Sequence, residues 1–384
     1  MSKNESRTIP LDLEAVMPLL LGVWRRFHKL AGPADVLQTR EFRGVVEAVT
    51  SLRAESHNGR SLVGSDYFAD RDLLGAYLLY QWVIHYQEGM SLLGELPRTP
   101  NRVLDLCSGP GAFAFAALRH GAREVVATDR NLSALNMAAE VCGRYGFPLS
   151  IRQWNCLKGN LPDEQRFDLI IVGHCLQDLF QGDRTGTQAF IERLMKHYLT
   201  EDGFLLIVES SAQEANDAVL SLRDSLVAKG VPVQAPCVWK GECPALKVKG
   251  SPCYAQRELE KPYLIKEIQR AASINLSSLK MTYLILRQPQ AGWPLLPARE
   301  MYRVISPPVD AFGGKRFYLC GTDGKKQLGS RLETYPKEAR AFEYLKRGEL
   351  ISFKDALEKG NAIDVIEGTS VRVEAPCGKP PPQE

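Results

Sequence analysis

Residues 102–129 restrict the fold more tightly than any other stretch of this chain. The apolar run RVLDLC leads into the glycine turn SGPG, the helical pattern AFAFAALRHG follows, and a second apolar run, EVVATD, ends near an acid. Two strands joined through a helix lie parallel, because only a crossover connection returns the chain to the same edge. Gly109 and Gly111 let backbone amides approach a ligand at the start of the helix. Asp129, eighteen residues after Gly111, sits where a carboxylate takes two ribose hydroxyls. The alternation continues through SIRQW, FDLIIV and GFLLIVES, and MTYLILR (281–287) reads as a last strand. This predicts a parallel sheet with helices on both faces.

The flanking regions follow other rules. Residues 11–95 read as helices: Leu73, Leu74, Tyr77, Leu78, Trp82, Val83 and Tyr86 recur at helical spacing behind the acidic start Asp70–Asp72. After Pro297, the pieces YRVIS, RFYLCG and KKQLGSRLE are short strands broken by Pro, Gly and Asp, with a helix at 336–347. Four parts are predicted: an N-terminal helical region, 1–96; a nucleotide-binding domain, 97–290, with a cysteine-rich insertion at about 235–262; a small β-rich domain, 291–375; and a disordered tail, 376–384. The 45% apolar and 24% charged composition excludes intrinsic disorder and collagen. The run LEAVMPLLLGVW (13–24) is too short to span a bilayer and its flanks do not suit a signal peptide, which predicts a cytoplasmic protein without a membrane span. A mitochondrial matrix location would require that a presequence has been lost. Charge is uneven: residues 1–235 carry 24 cationic and 28 acidic side chains, residues 236–360 carry 22 and 13, so the basic half is the one suited to nucleic-acid phosphates.

Dinucleotide and S-adenosylmethionine sites share the glycine-turn layout. Here Asp105 lies inside the motif, the glycines are too few for GxGxxG, and MTYLILR suits an added antiparallel strand. Through DLCSGPG (105–111), TDRN (128–131), WNCLKG (154–159) and FDLIIVGHCL (167–176) the chain resembles the class I S-adenosylmethionine-dependent methyltransferases. The resemblance implies a Rossmann-like seven-stranded sheet that binds S-adenosylmethionine. It also implies that Asp105, Cys107, Gly109, Gly111 and Arg130 line the cofactor, Asp129 binds the ribose, Asn155 meets the adenine edge, and Gly173 and His174 lie by the methyl group. Cys107 replaces the first glycine of the usual DxGxGxG, and no NPPY follows the fourth strand. His174 and Asp178 are the acid/base candidates, with a structural role as the competing reading.

Nine cysteines, an odd number at low density, predict reduced thiols. Cys237, Cys243 and Cys253 form C-x5-C-x9-C in a basic, proline-rich segment read as an ordered loop. Thiolates so concentrated are metal ligands, for tetrahedral zinc or an iron–sulfur cubane, and Cys320 is the best fourth; the wide x5 spacing leans toward iron–sulfur. Together with AYLLYQW (76–82), APCVWKGECP, SPCYAQRELEKP, LKMTYLILR, YRVISPP and LCGTDGK, this loop resembles the methyltransferase-like assembly factors of the mitochondrial small ribosomal subunit and their bacterial and archaeal relatives. The resemblance covers about residues 60–360. It implies that Cys237, Cys243, Cys253 and Cys320 ligate a [4Fe–4S] cluster, with zinc as the alternative metal. It further implies that the protein, a monomer off the ribosome, binds small-subunit ribosomal RNA on precursor subunits during assembly. An active ribosomal RNA methyltransferase is the rival reading. Val238 and Trp239 depart from the usual CPHxxxCP, and Tyr254 and Ala255 from the usual CHF.

Overall fold

The computed structural model describes residues 9–57, 67–161, 166–248, 250 and 252–382. The chain divides into two compact units, one of Met1–Leu93, Thr99–Asp163 and Leu259–Ser277, the other of Gly94–Arg98, Glu164–Glu258 and Ser278–Glu384.

In the first unit, α1 (Leu13–His28) buries Val16, Leu20, Leu21, Val23 and Trp24 along one stripe. Pro18 forfeits one hydrogen bond early in this helix, and the buried stripe outweighs it. Helix α2 (Thr39–His57) follows, tied back by a buried ion pair of 2.8 Å between Arg25 and Glu41. The helical run expected over 73–86 is broken by a turn of π-helix. Asp70 caps α3 (Arg71–Ala76) by accepting from the Asp72 and Leu73 amides, Tyr77–Gln81 then widens into the π turn, and α4 (Trp82–Leu93) continues. Such bulges aim side chains that regular spacing would place elsewhere. Strands β1 (Arg102–Leu106), β2 (Glu124–Asp129) and β3 (Ser150–Gln153) pair in parallel, with Asp105 beside Ala127 and Ala127 beside Ile151. Helices α5 (Ala112–Arg119) and α6 (Leu132–Arg144) connect them. Gly89 lets α4 press onto α5: a Cβ there would lie 2.8 Å from that of Ala116. A further helix, Tyr263–Ala271, completes the unit.

The second unit opens with β4 (Phe167–Gly173), α7 (Leu176–Phe180) and α8 (Arg184–Tyr198), followed by β5 (Leu199–Ser210) and α9 (Gln213–Ala228). The strands β6 (Val233–Ala235), β7 (Ala255–Glu258) and β8 (Ser278–Arg287) complete its first sheet. Parallel β4 and β5 pair from Leu169 with Phe204 to Gly173 with Val208, and β8 runs antiparallel to β5 from Phe204 with Arg287. Each unit thus carries parallel strands, β1–β3 in the first and β4–β5 in the second, and in the second an antiparallel β8 follows, the added last strand expected of a methyltransferase-like sheet. Strand β7, which lies in the segment read as loop, is an addition to the seven strands expected.

The rest of the unit is the expected β-rich part. Its strands are β9 (Tyr302–Val304), β10 (Val309–Ala311), β11 (Gly314–Gly321), β12 (Gly324–Ser330), β13 (Leu350–Lys354), β14 (Leu357–Lys359), β15 (Ala362–Asp364) and β16 (Ser370–Ala375). They run in the order β14-β15-β12-β11-β9-β13-β16, with β10 on β11. Phe317, Leu319 and Leu328 alternate inward onto Phe342, which lies on the helix Pro336–Glu343, and onto Ile351, Ile363 and Val365. The three-residue strands β14 and β15 are too short to stand out in the sequence. Beyond β16 the expectation was disorder, whereas the Cys377 thiol donates to the Arg347 carbonyl at 3.4 Å.

Candidate functional site

The cofactor turn lies wholly in the first unit. Cys107 leaves β1 at φ 54°, in the left-handed region that glycine occupies without strain, and Gly109 and Gly111 follow at 52° and 81°. The thiol therefore sits where the related motif has glycine, without changing the path of the backbone. It lies 3.8 Å from the Cys156 sulfur. A Cβ at Gly111 would lie 2.6 Å from that of Ala138 on α6, and one at Gly109 would lie 3.0 Å from the Phe68 ring. Trp82 donates its indole N–H to the Pro110 carbonyl at 3.0 Å, so the N-terminal helices hold this turn.

The two acids of the motif have different surroundings. The Asp105 carboxylate is turned inward, accepting from the Ser108 hydroxyl at 2.5 Å and the Ala114 amide at 2.9 Å, and burial pushes it up to about 7. It ties the turn to the first residues of α5. Asp129, at the end of β2, accepts from the Gly109 amide at 2.9 Å and the Asn131 amide at 2.8 Å. The Arg130 carbonyl accepts from Gln153 at 2.9 Å. Exposed Asn155 turns its carbonyl oxygen to the Leu157 amide at 3.1 Å, and the Trp154 amide donates to the Asp129 backbone. Residues 105–111 and 129–131 thus form one bonded group, to which Trp154 is tied through the Asp129 carbonyl.

In the second unit β4 ends on Gly173, and His174 takes φ 51°, its amide donating to the Val208 carbonyl at 2.8 Å. The sequence reading missed Glu209, which is 3% exposed and accepts from the Leu176 amide at 2.8 Å. Burial pushes its carboxyl up to about 7 while His174 draws it down and Asp178 raises it. The three groups form an acid/base cluster at the ends of β4 and β5. The signal was the acid closing the apolar run GFLLIVES.

The four expected metal ligands converge within the second unit. Cys243, Cys253 and Cys320 line one cavity of about 250 Å³, and Cys237 raises the thiols of all three by its charge. Burial and this mutual repulsion push Cys243 up to about 11 and Cys253 up to about 12, and raise Cys320 further. Four soft donors, Cys243 buried and the others half-buried, that repel one another when ionised suit a cation, which stabilises thiolates and displaces their protons. That donor set fits zinc or an iron–sulfur cluster. Of the remaining cysteines, Cys142 lies in α6, Cys175 stands at the start of α7, and Cys377 donates to the Arg347 carbonyl.

Helix α9 is the platform for the cysteine loop, and none of its contacts was legible beforehand. Asn216 donates to the Cys253 carbonyl at 2.7 Å, Arg223 donates to the Trp239 and Gly241 carbonyls, and the Asp224 carboxylate accepts from the Cys243 amide at 2.9 Å. From the β-rich part, Arg347 donates to the Pro252 carbonyl at 3.0 Å and stacks on the Tyr254 ring at 3.5 Å. Val238, one of the departures from the related loop, packs with Met301, Leu350 and Ala375.

Part of the chain is similar to the ribosomal protein L11 methyltransferase of Geobacter sulfurreducens, 34% identical over 92 residues, which is 24% of this chain and only 28% of that protein. Among solved structures it is similar to the ribosomal protein L11 methylase of Lactobacillus delbrueckii subsp. bulgaricus, with 16% identity, 54% and 78% of the two chains covered, and a TM-score of 0.33. It is also similar to the N-methyltransferase NodS of Bradyrhizobium japonicum in complex with S-adenosyl-L-homocysteine, with 16% identity, 63% and 98% covered, and a TM-score of 0.35. The family model described as mitochondrial small ribosomal subunit Rsm22 matches residues 76–349, which take in the glycine turn and all four converging cysteines, and the chain belongs to that family.

Proposed function

We propose that this protein binds S-adenosylmethionine at the cofactor turn, holds a [4Fe–4S] cluster on Cys237, Cys243, Cys253 and Cys320, and assists assembly of the small ribosomal subunit by binding its RNA. The observation that carries the reading is the convergence of four cysteines around one cavity in a chain of the small-subunit family. Gly109, Gly111 and Asp129 would hold the donor, with Asp105 keeping the turn in shape. When bound, the donor supplies an electrophilic methyl group. The basic surplus of residues 236–360 supplies the phosphate contacts. No helix among the described residues is long and apolar enough to cross a membrane. The family's description is mitochondrial, so it lends no support to a cytoplasmic location.

The test is iron and sulfide content of anaerobically purified protein, with a brown colour and absorption near 400 nm expected. Colourless protein with one zinc per chain replaces the cluster with zinc. RNA binding is checked by a steep loss of affinity for precursor subunits as salt rises. The second reading, an active RNA methyltransferase, is favoured by the buried Glu209 beside His174 and Asp178. Label transferred from S-adenosylmethionine to precursor subunits, and lost in Glu209→Gln, decides for it.

A further inference from the structure

Resting on the metal-centre reading above, we infer that Arg223 and Arg347 form a cationic cradle that balances the charge of the four-cysteine centre and donates hydrogen bonds to its sulfur. Four thiolates around either a [4Fe–4S]²⁺ core or Zn²⁺ carry a net charge of about −2, and burying such a group without counter-charge costs several kcal/mol. A guanidinium stays protonated under all conditions of interest, and offers five donors.

The surroundings match that need. Arg223 is 1% exposed on α9. Its two terminal nitrogens hold the Trp239 and Gly241 carbonyls between Cys237 and Cys243, and its buried Nε–H has no hydrogen-bond partner among the described residues. Arg347 lines the cavity with Cys243, Cys253 and Cys320, holds the Pro252 carbonyl, and likewise keeps a buried Nε–H without a hydrogen-bond partner among the described residues. A buried charged donor is costly unless something accepts from it. Sulfur in a metal–thiolate centre is such an acceptor. The other charges around the centre agree: Lys325 lines the same cavity, and Asp224, 22% exposed, pairs with Arg223 at 2.6 Å. Three cations against one carboxylate leave two positive charges for a group of charge about −2.

The two arginines approach from opposite sides in sequence. Arg223 braces the loop of the first two cysteines, Arg347 the segment of the third, and each therefore couples charge balance to ligand position.

The experiment uses the full-length protein purified anaerobically, with Arg347→Met, Arg347→Lys, Arg223→Met and Arg223→Lys variants. Metal content is read before and after a chelator challenge, and the midpoint potential by spectroelectrochemical titration. For Arg347→Met the expected result is a loaded cluster whose reduced-to-oxidised ratio at fixed potential falls at least tenfold, about 59 mV for one electron. Arg347→Lys restores part of that shift. Arg223→Met loses at least half of its metal to the chelator, and Arg223→Lys, which keeps the charge and tests for simple misfolding, retains more. Wild-type protein without metal overturns the metal-centre reading and the cradle with it. Loaded wild type, with both methionine variants unchanged in retention and potential, overturns the cradle alone.

Discussion

The cofactor turn closes its hydrogen bonds between residues 105 and 131, while the cysteine centre gathers its four thiols from positions 237 to 320 and its braces from Asn216 to Arg347. The first is a local object whose shape follows from φ values that only a few residues adopt comfortably. The second has no local shape: three of its thiols sit in a loop with one short turn of 3₁₀-helix, and it depends on a helix before the loop and strands after it. A local turn survives substitution of a neighbour but not of its own glycines. A long-range centre fails when any one contributor is lost.

The largest expected effect falls on the centre. Cys253→Ser removes the metal, and because structural metal binding contributes on the order of 10 kcal/mol to folding, the unfolding of the second unit shifts by many degrees in calorimetry. Binding of S-adenosylmethionine at the turn is expected to persist, and its loss in the same variant breaks the contrast between the two sites.

The next effect concerns pH. The Asp105 carboxyl in the folded protein is raised to about 7, against an unfolded value of about 3.9. The folded state then binds more protons between those values, so stability is fully present below about pH 4 and falls as pH rises toward 7, by up to about 1.4 kcal/mol per pH unit. Asp105→Asn is expected to flatten that slope in denaturant titrations from pH 4 to 8. Glu209 adds a slope of the same sign in the second unit, which the variant leaves in place.

Gly111→Ala drives a methyl against Ala138 at 2.6 Å and forces a positive φ. It is expected to cost about 2–3 kcal/mol of stability and to weaken S-adenosylmethionine binding more than tenfold, with metal content unchanged. Asp129→Ala is expected to weaken the same binding by about ten- to a hundredfold, read by calorimetric titration. The smallest effect sharpens the picture of a local turn: Cys107→Gly releases the strain at φ 54° but gives back chain entropy, so stability changes by less than about 1 kcal/mol.

Most of the parallel strands were legible because they are buried and read as short apolar runs, Leu169–Val172 being an example. The turn was legible because glycine and acid stand at fixed offsets. The cysteines were legible as candidates by type and spacing, and Cys320 by its place in the strand-like piece RFYLCG. Strand β7 was not, since AQRE has only one apolar residue and exists as a strand through pairing with β8. The π turn at Tyr77–Gln81 was hidden because a helical stripe tolerates one extra residue.

Local rules of sequence by themselves determined the alternation of strands and helices, the left-handed turn with its two acids, and the clustering of thiols. Tertiary structure alone decided which buried polar groups serve those thiols. Arg223 on α9 looks in sequence like any surface cation of an amphipathic helix, and it becomes the loop's anchor only because the Trp239 and Gly241 carbonyls have lost water and require a donor. Such satisfaction of buried groups is a property of what packs against what, and chain order does not carry it.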